Sequence, residues 1–385
     1  MRQTLKIYLC GLIFLIVGKL YALDLTKINL EYHYDVNALV RFEFRVVQND
    51  SSMILFCKTK TQVNKQYGTM LLLQNAYNTE AHDTLSSYTV DTLFSEPKKN
   101  MVRLKFDREV KGKLLIIAFS DPSGGDLFFD IPLFSPLGYP DFYPINEDSL
   151  PIISNYVSNT GVQFHGASNT TFHVYEYDQE FLGADPPMGA MKPLSPTLSI
   201  DSSYVFNKGL DSLEQDHFYL FQGDSLDQTG ITLLKVPFYF PKTKKLDDLL
   251  GPLQYITTSE ENKSLHQPFS NPKISFEKFW INTYGTKFRA KGAIRSFYNM
   301  VQESNELFTD YKAGWKTDRG MIYIVYGKPD FVTRDKGIEI WKYTSGIEFE
   351  FIRISTLFAP LIYSLKRDIK YENQWYDRVG EIRNG

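Results

Sequence analysis

Cysteine is almost missing from this sequence, with two in 385 residues, Cys10 and Cys57. Cys10 lies in an N-terminal leader, so one thiol remains after processing and no disulfide can form within a single mature chain. Stability must then come from core size, which this length permits. Cys57 sits in the apolar run MILFCKTK and reads as a buried structural thiol. Histidine is also sparse. The six are scattered, show no i,i+4 pair and stop at His266. His165 and His173 come nearest to a metal pair but fall on different strand ends, so no metal and no cofactor is expected. No G-x-S-x-G elbow, phosphate-binding loop or calcium-loop spacing occurs. Charge of one sign is lacking too. Lys plus Arg is 42 against 45 acids, which gives no reason to expect a nucleic-acid surface.

Long apolar runs are confined to the start. Arg2 and Lys6 precede the nearly unbroken run Ile7–Val17, and Tyr21-Ala22 offers a small residue for cleavage. This is the build of a secretory signal over residues 1–22, too short to span a membrane comfortably. No later segment is long enough to span, so the mature chain is expected to carry no transmembrane segment. Losing the leader removes Arg2, Lys6 and Lys19 but no acid, which makes the exported chain more acidic than the formal −3 of the whole.

What is plentiful is aromatic: 25 Tyr and 29 Phe, suited to many short strands. Residues 23–130 read as a β-sandwich domain. In LVRFEFRVV, Val40, Phe42, Phe44 and Val46 share one face and Arg41, Glu43 and Arg45 the other, as in a strand wet on one side. Residues 131–151 form a proline-rich linker or loop, with Pro132, Pro136, Pro140, Pro144 and Pro151. A second β domain follows over 152–241, broken by a loop with Pro186, Pro187, Pro193 and Pro196. Residues 242–272 read as a short helix, stopped near Gly251-Pro252, and a linker. In the C-terminal α+β domain, 273–385, Ser275 is expected to cap a helix. A second helix is expected over Lys291–Asp310, with Ile294, Phe297, Val301, Leu307 and Phe308 near one face. Strands Ile338–Tyr343 and Ile347–Ile354 should pair as a hairpin through Ser345-Gly346. The fold class is therefore mostly β: two β-sandwich-like regions followed by a small α+β domain.

The stretch GWKTDRGMIYIVYGKPD, 314–330, carries the densest punctuation. MIYIVY reads as a central strand, apolar on both faces. Gly314 and Gly320 free the backbone, and Trp315 should anchor between helix and sheet. Thr317 and Asp318 should close a turn on backbone N–H groups. Arg319 is expected to form a bidentate pair with Asp318, Asp330 or Glu339. Tyr323 belongs to the strand, and Gly327, Pro329 and Asp330 end it. A structural motif is the simpler reading. The catalytic one would use Asp318 or Asp330 as base beside Arg319, but an acid held by Arg is a poor general base at neutral pH.

Gly314, Trp315, Thr317 and Asp318, continued by Arg319, Gly320, Ile322, Tyr323, Tyr326, Gly327, Pro329 and Asp330, resemble the signature of the GWxTD domain family. Phe279-Trp280 upstream and Glu339-Ile340-Trp341 downstream fit the same pattern, so the resemblance covers roughly 270–355. It implies an exported bacterial protein, as in Bacteroidota and related bacteria, and implies no reaction or catalytic residues.

The expectation is a non-enzymatic scaffold or protein-interaction component of the cell envelope, periplasmic or peripheral to the outer membrane, with an extracellular location as a variant. Its partner would be an envelope or outer-membrane protein. The first alternative is a carbohydrate- or peptide-binding module that uses Tyr175, Tyr177, Tyr219, Trp341 and Tyr343. The second is a hydrolase that uses the 314–330 loops.

Overall fold

The computed structural model describes residues 12–13, 23–63, 67–120, 125–135, 137–158, 161–166, 171–178, 181–190, 198–207, 211–267, 271–359 and 361–384. Apart from Leu12–Ile13, residues 1–22, expected to form the leader, lie outside them, as do Pro136, Pro193 and Pro196. The chain is mostly β, with a later helical stretch and a small terminal sheet, and it divides into two compact units.

The first unit contains residues 1–154, 163–170 and 333–336. One sheet runs Val40–Gln48, Ser52–Thr61, Lys99–Asp107, Tyr88–Glu96, all antiparallel. A second sheet pairs Tyr67–Gln74 with Leu114–Ser120 and that strand with Asp126–Pro132. Alternation along the strands places Val40, Leu55, Cys57 and Leu104 of one sheet in a common core with Leu71, Ile117 and Ile131 of the other, the arrangement of a sandwich. Phe42 and Phe44 pack on that core beside Val40 and Val46, as their spacing predicts. Arg45, on the opposite face, donates to the carbonyls of Ile152, Ile153 and Ser154.

The second unit contains residues 155–162, 171–332 and 337–385. The second β region and the helical stretch therefore share one compact unit. Its larger sheet runs Tyr156–Val157, Ile231–Lys235, Phe218–Gln222, Thr171–Tyr177, Ser202–Asn207. Tyr177 and Phe218 of this sheet pack with Tyr311 and Phe358 in one cluster. Helices α1 (Leu246–Leu250), α2 (Ser259–Leu265), α3 (Pro272–Tyr284) and α4 (Lys287–Phe308) follow. Asn271, not Ser275, caps α3: its side chain accepts from the Lys273 and Ile274 N–H groups, with Pro272 in the first turn, where its missing N–H costs nothing. In α4, Phe297, Val301 and Phe308 are buried.

MIYIVY is not a strand. Asp318–Tyr326 forms α5, with Gly320 through Val325 all buried. A helix that is apolar all round belongs inside a fold. Here α4, strand Ile362–Leu365 and helix α6 (Glu372–Asn384) pack on it. Burial on every side outweighs the β preference of Ile, Val and Tyr. Downstream, Ile338–Lys342 pairs antiparallel with Glu348–Ile354, and that strand with Ile362–Leu365. Gly346 turns the hairpin with φ of 85°.

Cys57 is 3% exposed, and burial pushes its thiol well above the ordinary value. A small thiol reagent should therefore label native protein slowly and denatured protein stoichiometrically. Rapid native labelling, followed by mass spectrometry, would contradict the buried position.

Candidate functional site: the cleft beside the 314–330 motif

The motif lies against the C-terminal end of α4. A Cβ added at Gly314 would stand 2.0 Å from the Ser304 carbonyl oxygen, and one at Gly320 1.9 Å from the Gly314 carbonyl oxygen. Neither approach tolerates a side chain. Hydrogen bonds fix the contact. Thr309 donates its hydroxyl to the Asn305 carbonyl at 2.6 Å and accepts from the Gly314 N–H at 2.9 Å. The Asn305 side chain accepts from the Trp315 N–H at 3.1 Å and donates to the Pro241 carbonyl at 3.1 Å. Thr317 caps α5: its oxygen accepts from the Gly320 N–H at 3.0 Å and its hydroxyl donates to the Gly314 carbonyl at 2.7 Å. The turn chemistry read from Thr317 is thus present, in service of a helix.

Asp318 is a clamp. Arg367 donates to its two oxygens at 2.6 and 3.3 Å, and the Leu365 N–H donates at 2.8 Å. These bonds tie the first turn of α5 to strand Ile362–Leu365. Arg367 itself was not singled out by the sequence; it sits in the short basic run Lys366-Arg367 beyond the motif. Of the three acids expected to pair with Arg319, Glu339 lies beside it. Its guanidinium lies 4.3 Å from the centre of the Tyr363 ring and 5.2 Å from that of Phe308, with one nitrogen 3.7 Å from Glu339. A guanidinium over two aromatic rings is attracted by their faces. Glu339, fully buried, accepts from the Trp341 indole at 2.8 Å. Tyr323 donates to Glu303 at 2.8 Å. Gly327 ends α5 with φ of 81°, ahead of Pro329, and Asp330 accepts from the Thr344 N–H at 2.7 Å.

Beside this scaffold opens a cleft of about 750 Å³. Trp315, Lys312 and Lys316 line one part of it, and Phe181, Leu182 and Phe240 supply apolar surface. Trp315 is half-buried, packs edge-on to Tyr255 at 6.2 Å, and occupies the space that a side chain at Gly251 would need. Tyr255 donates to the Trp315 carbonyl at 2.8 Å and accepts from the Ala184 N–H at 3.1 Å. Lys312 is the unusual group. Burial strips water from its ammonium and lowers its pKa to about 8, although Asp318 pulls the other way. Nothing in the sequence marked Lys312, because its setting comes from chain segments distant in sequence. Of the rings proposed for ligand binding, Tyr177, Tyr219, Trp341 and Tyr343 are buried and Tyr175 is half-buried against the core. They do not form an exposed aromatic stripe.

All four tryptophans, Trp280, Trp315, Trp341 and Trp375, lie in the second unit, so indole fluorescence reports its unfolding in the full chain. Gly320→Ala should destabilise it by about 3 kcal/mol, opposite to the gain of about 1 kcal/mol normal for Gly→Ala inside a helix. An unchanged denaturant midpoint would contradict the close approach. Trp315→Ala should cost about 1–3 kcal/mol, less than truncation of a fully buried indole. Lys312 binds its proton more weakly folded than unfolded. Its protonation therefore costs stability below pH 8, and the cost fades as pH rises toward 10.5. Lys312→Met should be more stable than the native chain at pH 7, by roughly 1–3 kcal/mol, with the difference shrinking by pH 10. Equal differences at both pH values would overturn this assignment.

Among the described residues, no helix is long and apolar enough to cross a membrane. No curated protein matches the chain. One solved structure, titled "Crystal structure of DIP-gamma IG1+IG2", aligns over 51% of this chain and 98% of its own at 14% identity. Its TM-score is 0.15, which supports no argument about fold. The family comparison agrees with the motif and with the geometry built on it: the C-terminal region, residues 217–384, matches the GWxTD domain family.

Proposed function

We propose that this is an exported, non-enzymatic protein-interaction component of a bacterial cell envelope, and that the cleft beside Trp315 and Lys312 receives a segment of its protein partner. The observation that carries the reading is the division of labour around the motif. Gly314, Thr317, Asp318 and Gly320 are committed to internal packing and hydrogen bonds, whereas the cleft combines apolar walls with a poorly solvated ammonium. Such a site favours a segment with one apolar group for the Trp315–Phe240 surface and one carboxylate for Lys312. Asp318 and Asp330, the acids a hydrolase would need, accept bonds that hold α5 and the following turn. A carbohydrate ligand is the second reading. It rests on the half-buried Trp315 alone, since the other proposed rings are inside.

The partner should be recovered by crosslinking in intact cells, native purification and mass spectrometry, with crosslinked peptides mapping to Lys312 or Lys316. Lys312→Met, which removes the charge from a poorly solvated position, should abolish recovery while leaving the fluorescence-detected fold intact. Consistent isolation of the wild type as a lone monomer, with binding on a glycan array instead, would favour the carbohydrate reading.

A further inference from the structure

Helix α4 carries its charges the wrong way round for its own dipole. Lys287, Arg289, Lys291 and Arg295 stand in its N-terminal half, with no acid in the first turn, and its acids, Glu303 and Glu306, come near the C-terminal end. A helix has partial positive charge at its N-terminus and partial negative charge at its C-terminus. Lys287 and Arg289 in the first turn and Glu306 in the last therefore sit where they weaken it. Among the described residues, no carboxylate pairs with Lys287, Lys291 or Arg295, and all three are exposed. Arg289, also exposed, donates to the Asn384 carbonyl at 3.1 Å. The buried face of the helix lies elsewhere, on Ala290, Phe297 and Val301.

Phe288 stands in the middle of this basic stretch and is 89% exposed. At 3.6 residues per turn it falls at the centre of the solvent face. Lys287 precedes it, and Lys291 and Arg295 flank it three and seven residues on. Gly292, four residues on, puts no side chain beside the ring, and a Cβ added there would meet nothing within 4 Å. One exposed apolar residue is ordinary. A bare ring among unpaired cations, on a helix whose own dipole opposes them, is a combination that folding alone does not favour.

We infer that this face of α4, Phe288 with Lys287, Lys291 and Arg295, docks on a membrane surface of anionic lipid headgroups. The ring enters the headgroup layer, the lysine and arginine stems lie over apolar surface, and their charges meet phosphates. Attachment to a membrane from one side takes two signals, and α4 offers an apolar one and an electrostatic one. The negative surface also answers the charge of the first turn, which the protein leaves unanswered. An acidic protein suits the face less well. Aromatic anchors of protein interfaces are packed within a ring of further contacts, whereas Phe288 stands beside the bare Gly292. The face is independent of the Trp315 cleft, whose lining includes none of these residues.

The test is sedimentation of the full chain with vesicles of equal parts phosphatidylglycerol and phosphatidylcholine, against vesicles of phosphatidylcholine alone. The chain should prefer the charged vesicles, and the preference should fade as salt rises. Each Lys or Arg near an anionic surface contributes roughly fivefold to partitioning. Lys287→Glu with Lys291→Glu in one chain should therefore weaken binding by more than about twentyfold. Its denaturant midpoint should hold or rise, because acids suit the start of a helix, so the loss cannot come from unfolding. Phe288→Ser should weaken binding by about tenfold. The apolar run Ile7–Val17 is common to all these chains and cancels in the comparison. Lys312→Met should bind vesicles as the native chain does. Native-level binding in either α4 variant would overturn the inference. So would absence of binding to the charged vesicles, including the case in which an acidic protein is captured through the same residues instead.

Discussion

The close approach of Gly314 and Gly320 to the end of α4 is the constraint on which the C-terminal part depends. The Ser304 carbonyl leaves no room for a Cβ at Gly314, and the Gly314 carbonyl and Ser304 hydroxyl leave none at Gly320. That fixes where Thr317 can place its cap and therefore where α5 begins. The start of α5 puts Asp318 within reach of Arg367 and the Leu365 N–H, which secures the small terminal sheet to the helices. The same packing sets Trp315 with one face against Gly251 and Tyr255 and the rest toward the cleft. The naming residues of the family thus act as one joint between two helices and a strand.

Sequence reasoning reached the fold class, the hairpin at Ser345-Gly346, the buried Cys57 and the importance of Gly314–Asp330. Those features carry local signals: alternation, a turn glycine, an apolar run, capping residues. The error over MIYIVY has a definite cause. Periodicity cannot separate a strand covered on both faces from a short helix covered on all sides, because both are continuously apolar. Thr317 was already placed as a closing oxygen. Its donor, the N–H of Gly320 three residues on, is a helix-cap spacing, and greater weight on it would have favoured α5.

The residues that give the cleft its chemistry were less legible. Lys312 is ordinary as a letter and becomes unusual only through its burial in the folded chain, where Asp318, Arg367 and Asp185 act on its charge. Conversely, Tyr177, Tyr219, Trp341 and Tyr343 were conspicuous as aromatic letters and turned out to be core, the commoner fate of large rings in strands.

One feature of the cleft bears on how quickly it can be filled. Gly183 passes so close to the Gln254 side chain that a Cβ there would displace it. Just after it, the Ala184 N–H donates to Tyr255 and the Asp185 carbonyl accepts from Arg367 at 3.1 Å. The rim carrying Leu182, which is 80% exposed, is therefore anchored on its C-terminal side. Any ligand of the cleft would meet that side of the rim already built and give up little entropy in shaping it. Encounter is then governed by diffusion and charge, and differences among ligands should reside in how long each one stays.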